Sequence, residues 1–193
     1  MRAGAITVAG MGALALAGAL WIFSSTSAVS DPSPSARGGS DLNAHVGSAP
    51  EDLIAKRLTM PVPGIKAEDL SPQFYVARAE RGHEAIDIIA TRGEPVVAVE
   101  DGKIAKLFLS KPGGITIYQF DPTETYAYYY AHLDRYADGL AEGDSVKRGQ
   151  VIGYVGSTGN AATPHLHFAI FLLGPERQWW KGEALDPYSV LRP

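Results

Sequence analysis

The sequence predicts an all-β domain of antiparallel strands, a sandwich or barrel, preceded by an N-terminal hydrophobic helix and a disordered linker. Three observations carry this. From Leu58 onward, short runs rich in Val, Ile, Tyr and Phe are punctuated by Gly and Pro. No long stretch there shows helical periodicity. Ahead of it, an uncharged apolar segment leads into a stretch too poor in large apolar residues to fold alone.

Residues 1–28 form the first unit. Ala3 to Phe23 carries no charge, and its only flanking cations are Arg2 and the amino terminus, which keep that end in the cytoplasm and send the rest of the chain outward. The segment is long enough for an anchor in the inner membrane, the reading its length favours, while Thr26-Ser27-Ala28 offers a small-residue cleavage site for a signal peptide. The absence of cysteine closes the lipoprotein route. The chain is therefore expected in the cell envelope, outside the cytoplasm, either anchored or secreted. Residues 29–58 read as a flexible linker, because Ser24 to about Pro50 is rich in Ser, Ala, Gly, Pro and Asp. Such a tether has a root-mean-square span of roughly 30 Å. His45 lies within it and reads as a solvated histidine.

Residues 59–193 form the folded unit. Val96 to Val99, Lys103 to Phe108, Ile115 to Phe120, Tyr126 to Tyr130, Val151 to Val155 and His167 to Leu172 read as strands, with Asp101-Gly102 as a hairpin-type turn. Two helices are expected, one near Ala67 to Leu70 and one at the end, where Asp186-Pro187 reads as a cap and first-turn proline. Ala98 to Ile104 and Val146 to Val155 also look like the strand-turn repeats of lipoyl and biotinyl carrier domains. A carrier needs a modifiable Lys at a hairpin tip, and no hairpin here shows one in a convincing context.

Composition narrows the chemistry. A net charge of -4 and a pI near 5.7 argue against nucleic acid as a partner, since phosphate binding needs a concentrated excess of Lys and Arg. Without cysteine, any metal must be held by histidines and carboxylates. Four of the five histidines stand in three tight contexts: Gly82-His83-Glu84-Ala85-Ile86-Asp87, Tyr130-Ala131-His132-Leu133 and Pro164-His165-Leu166-His167-Phe168. On a strand, residues two apart share a face, so His165 and His167 project together while Leu166 and Phe168 enter the core. If extended, the earlier segment likewise puts His83, Ala85 and Asp87 on one face with Ile86 and Ile88 behind it. A catalytic zinc takes about three protein ligands and leaves one position for water, and two histidines with one aspartate satisfy that.

These motifs, together with Gly93-Glu94-Pro95-Val96, Asp101-Gly102 and Gly149 to Gly156, occur in an order that resembles the lysostaphin/LytM family of peptidoglycan-cleaving zinc endopeptidases, from about Met60 to Pro193. The resemblance implies that family's compact β fold, a duplicated hybrid motif with the metal on the floor of a groove. It implies His83, Asp87 and His167 as ligands of Zn2+, and His132 and His165 as catalytic groups. One of these two would take a proton from the attacking water and the other would hydrogen-bond the oxyanion, with no assignment of which. The implied substrate is a stem peptide or cross-link of bacterial peptidoglycan. The alternative is a catalytically silent regulator that activates other wall hydrolases, against which the complete ligand set speaks. Two departures are visible: Ala85 and Thr163 stand where the family commonly has Gly, and the methyl of Ala85 is expected to narrow the groove. Glu84 is a weaker candidate base, pointing away from His83 on a strand. Tyr128, Tyr130, Trp179 and Trp180 read first as packing, with Tyr130 within reach of the groove and the tryptophans as a possible substrate wall. Arg81 reads as solvated.

Overall fold

The computed structural model describes residues 49–78 and 81–192. The expected anchor or signal peptide, His45 and the linker up to residue 48 lie outside these residues. Among the described residues no helix is long and apolar enough to cross a membrane.

The elements in chain order are α1 (Glu51–Ala55), a 3-10 turn (Ala67–Asp69), β1 (Ala77–Arg78), β2 (Arg81–Gly82), β3 (Ile86–Ile89), β4 (Pro95–Val97), β5 (Gly102–Ser110), β6 (Gly114–Phe120), β7 (Tyr126–Tyr136), β8 (Ser145–Val146), β9 (Val151–Val155), β10 (His165–Leu173), β11 (Gly182–Leu185) and α2 (Pro187–Leu191). All strand pairings are antiparallel. The mostly-β, few-helix expectation is met, and α2 starts as the sequence indicates, with the Asp186 carboxylate accepting from the Tyr188 N–H at 3.0 Å.

The main sheet runs β11-β10-β7-β6-β5-β8, with β3 beside β10 and β9 joining β4 to β7. One edge of β10 pairs with β7, and the other is divided, with residues 165–168 against β3 and 170–173 against β11. On the core face lie Ile117, Tyr128, Tyr130, Leu166, Phe168 and Ile170, all fully buried. Burial of each such aliphatic or Phe side chain stabilises the fold by about 1.5 to 3 kcal/mol. The opposite face carries a smaller cluster of Ala85, Phe120, Ala127, Ala169 and Phe171, with Trp179 packed against it.

Two expectations are corrected. Asp101-Gly102 closes no hairpin: β4 pairs with β9, and β5 pairs with β6 and β8. Asp101 instead accepts from the Arg148 N–H at 2.9 Å and from Lys147 Nζ at 2.8 Å, tying the bend to a loop distant in sequence. The ordered domain also begins before residue 59, because Ala49 and Leu53 pack into the core. The segment around α1 is locked by polar contacts. Lys56 Nζ lies 3.0 Å from Asp121 and 3.3 Å from Glu100, both carboxylates buried, and the Tyr126 hydroxyl donates to Asp52 at 2.8 Å.

Removing the cation from two buried carboxylates leaves charge uncompensated. Lys56→Ala is expected to destabilise the domain by about 3 kcal/mol in chemical denaturation. Lys66→Ala, at the exposed Lys66–Glu68 pair, should change stability by less than about 0.5 kcal/mol.

Candidate metal centre

Strand pairing assembles the site. Asp87 in β3 stands directly opposite His167 in β10, and Ala131 of β7 faces His167 from the other side. His165 and His167 share the open face, as alternation along β10 requires, with Leu166 and Phe168 buried behind them. The condition that residues 83–87 be extended is not met. β3 begins at Ile86, and Glu84 has a left-handed φ of 52°. This kink, held by the Glu84 N–H to Phe74 carbonyl bond at 3.1 Å and the His83 N–H to Val76 carbonyl bond at 3.1 Å, brings His83 alongside Asp87.

The outcome is a three-atom cluster. His83 Nε2 lies 3.0 Å from Asp87 Oδ1, His167 Nδ1 lies 3.0 Å from the same oxygen, and the two ring nitrogens are 3.1 Å apart. Tetrahedral bonds of about 2.0 to 2.1 Å to a common centre would separate ligand atoms by about 3.3 Å, close to this triangle. Two imidazole nitrogens and a carboxylate oxygen converging in this way fit a divalent cation of borderline hardness. Burial on its own would raise the Asp87 carboxyl, but hydrogen bonds from His167 and His83 outweigh it and hold the group well below the usual carboxylate range.

His132 and His165 complete the rim. Their rings are 4.9 Å apart, and His132 is 5.5 Å from His167. His132 Nδ1 meets the Thr158 carbonyl at 2.8 Å, and His165 Nδ1 meets the Thr163 carbonyl at 2.8 Å. A carbonyl only accepts, so both Nδ1 atoms carry hydrogen and the Nε2 atoms of the neutral rings are acceptors. His165 Nε2 is buried without a hydrogen-bond partner among the described residues and lies 3.7 Å from Asp87 Oδ1. Burial, then the neighbouring His167, pushes His132 down to about 4. Burial likewise lowers His167.

Alternation would send His132 into the core beside Tyr130. A register shift between β6 and β7 prevents this: Ile115 pairs with Leu133 while Ile117 pairs with Tyr130, and His132 takes a φ of 60°. The bulge turns its ring toward His165 and His167. Thr158 fixes the bulge, its hydroxyl donating to the Leu133 carbonyl at 2.7 Å and accepting from the Ile115 N–H at 3.0 Å while its carbonyl holds the His132 ring. The loops carrying this lock touch through glycines. A Cβ on Gly114, whose φ is 67°, would sit 2.2 Å from Thr158 Oγ1.

Other sequence candidates fall differently. Tyr130 does not reach the groove. Its buried hydroxyl accepts from the Val99 N–H at 3.1 Å and donates to Gln119 at 2.7 Å. Tyr128 is a core residue that donates to Glu100. Tyr129, passed over in the sequence, stands on the site face with its ring 6.1 Å from His167. The Ala85 methyl is buried, in one cluster with Phe120, Ala127, Ala169 and Phe171. Trp179 packs on the sheet and Trp180 is partly exposed.

Residues 81–187 match Peptidase family M23, more than half of the chain. The chain belongs to this family, the lysostaphin/LytM type of peptidase. The L-Ala--D-Glu endopeptidase of Bacillus subtilis is 36% identical to the M23 chain over 119 residues, which are 58% of this chain and 35% of that protein. The solved catalytic domain of lysostaphin from Staphylococcus simulans superposes with a TM-score of 0.55 at 28% identity, covering 66% of this chain and 96% of that one. A zinc-containing peptidase from Vibrio cholerae superposes with a TM-score of 0.50 at 26% identity, over 63% of this chain and 34% of that one. The M23 chain spans about a third or less of the length of the curated relatives it matches.

Two outcomes follow from this geometry. Thr158→Val, which loses both hydroxyl hydrogen bonds, should destabilise the domain by about 1 to 3 kcal/mol in chemical denaturation, with recovery in Thr158→Ser. In the metal-free protein, His132 has an unfolded value of 6.5 and a folded value of about 4, so the unfolded state takes up the proton first. Stability measured by denaturation should therefore fall as pH drops from 6.5 towards 4 and be retained above 6.5.

Proposed function

We propose that this M23 domain is a zinc endopeptidase that hydrolyses peptide bonds in stem peptides or cross-links of bacterial peptidoglycan, with His83, Asp87 and His167 as ligands and His132 and His165 as catalytic groups. The observation that carries the reading is the triangle of His83 Nε2, Asp87 Oδ1 and His167 Nδ1, with edges of 3.0 to 3.1 Å, bordered by the rings of His132 and His165. Membership of M23 and the peptidase activities named for its relatives support the reaction class. The donor set and the zinc-containing structural relative support the metal.

Zinc, when bound, supplies a Lewis acid that polarises a scissile carbonyl and acidifies water at neutral pH. The remaining work falls to the chain. Because their Nδ1 atoms are committed to carbonyls, His132 and His165 keep their Nε2 lone pairs uncommitted beside the cluster, which suits either to accept a proton from the attacking water. Proton uptake converts the same Nε2 into a donor, able to hydrogen-bond the developing oxyanion or to protonate the leaving amine. Burial disfavours the cationic form of His132, so a proton taken up there is readily passed on. The carbonyls of Thr158 and Thr163 keep both rings in the required tautomer throughout.

The regulator reading requires a site unable to hold metal, and no ligand position here is substituted by a residue unable to coordinate. Placement in the envelope is part of the proposal and rests on the uncharged Ala3 to Phe23 segment, read as an inner-membrane anchor or a signal peptide.

His167→Ala is expected to lose both zinc, by elemental analysis, and release of amines from purified peptidoglycan. His132→Ala should keep zinc while kcat falls about a hundred- to ten-thousand-fold. Wild-type turnover in the His132 variant would remove its catalytic role. Mass spectrometry of digests of defined cross-linked muropeptides identifies the bond. Absence of both zinc and amine release in the unaltered protein would favour the regulator.

A further inference from the structure

The connection between β10 and β11, residues 174–181, carries an aromatic pair that the peptidase reaction leaves unused. Trp179 lies against Tyr118 and Phe108, with ring centroids 4.8 and 5.5 Å away, and Trp180 packs edge-on to Trp179 at 5.2 Å. Tyr118 in turn is 4.6 Å from Tyr129, whose ring is 6.1 Å from His167. A continuous row of rings therefore leads from the candidate metal centre, along one face of the sheet, to a separate cleft of about 450 Å³. Trp179, Trp180, Phe120, Lys103, Glu142 and Arg177 line it.

The chemistry of this cleft is mixed. Trp180 keeps 38% of its surface exposed and lines the cleft, leaving an indole face available to a ligand. Around the indoles stand donors, the Lys103 ammonium and the Gln178 amide, and acceptors, the Glu124 and Glu142 carboxylates. Glu124 is 3.5 Å from Arg177 and Glu142 is 2.8 Å from Lys106, whereas Lys103 makes no ion pair among the described residues. The two carboxylates disfavour a phosphate, and an all-apolar ligand would leave the polar rim unmatched. A pyranose ring fits both parts. Its C–H face is apolar and can lie on an indole, and its equatorial hydroxyls and amide both donate and accept.

We propose that the cleft at Trp179 and Trp180 is a second binding site, which holds an N-acetylated amino-sugar ring of the glycan strand carrying the peptide to be cut. This rests on the peptidoglycan reading above. One polymer would then occupy both sites, the peptide at His167 and the sugar on Trp180. The sugar site supplies affinity and register, and it takes no part in proton transfer.

Tryptophan fluorescence tests the site directly, because Trp179 and Trp180 are the only tryptophans besides Trp21 in the N-terminal apolar segment. Titrating the full chain with the N-acetylglucosamine tetramer should give a saturable emission change in the millimolar range or below, abolished in Trp180→Ala. In kinetics, the ratio of kcat/KM on a disaccharide-bearing muropeptide to that on the same peptide stripped of sugar should fall about tenfold in Trp180→Ala. If circular dichroism shows that variant unfolded, Lys103→Ala, at an exposed position, should lower the ratio in the same direction. No emission change with the tetramer, a change that persists in Trp180→Ala, or a response to sugar-free peptide alone would overturn the sugar site while leaving the peptidase reading intact. Tetramer binding by a chain that cuts no peptide would overturn the peptidase reading instead.

Discussion

Two-residue alternation along β10 is the constraint on which the site depends. Leu166, Phe168 and Ile170 are fully buried on one face, and His165 and His167 stand on the other. A slip of one residue would exchange the faces, sending both imidazoles into the core and two large apolar side chains into the groove. Each misplaced side chain would forfeit about 1.5 to 3 kcal/mol of burial, so hydrophobic packing fixes the direction in which the ring nitrogens point. Antiparallel pairing does the rest by setting Asp87 opposite His167. The juxtaposition of Asp87 and His167 is thus a product of the core.

His83 and His132 reach the cluster only because that regular pattern is broken. Glu84 and His132 both adopt left-handed backbone conformations, which are costly for residues with a Cβ and persist where the surroundings over-determine them. At Glu84, bonds to the Phe74 and Val76 carbonyls hold the kink that carries His83 to Asp87. At His132, the Gly113 carbonyl accepts from its N–H at 2.8 Å while Thr158 grips both the ring and the neighbouring strands. Regular strand geometry places the aspartate and the histidine pair, and local irregularity delivers the remaining two groups.

This division explains what the sequence disclosed. The His-x-His and His-x-x-x-Asp spacings, set among buried aliphatics, carry the period-two signal in plain form, and the lack of cysteine left few other ligands. The Tyr126–Tyr130 run has large residues on both faces, so its periodicity has no clear phase and does not single out Tyr129 as the ring on the site face. The His132 bulge has no compositional mark, because its left-handed residue is not a glycine. Asp101-Gly102 has the composition of a tight turn, yet its carboxylate is satisfied by Lys147 and Arg148, partners no local window contains. The segment around α1 was legible only as polar chain, since Leu53 alone in α1 is fully buried and its other attachments are made by Asp52 and Lys56 to distant residues.

That attachment has a mechanical consequence. Any pull exerted through the preceding chain enters the folded unit at α1, where the Lys56 ammonium grips Asp121 and Glu100, Asp52 holds Tyr126, and Arg148 reaches the Lys56 carbonyl at 2.9 Å. These contacts stand in the line of load ahead of β3, β7 and β10. They pass such a load to the turn between β6 and β7 and to the loop between β8 and β9, and not directly to β3 and β10, where Asp87 and His167 stand.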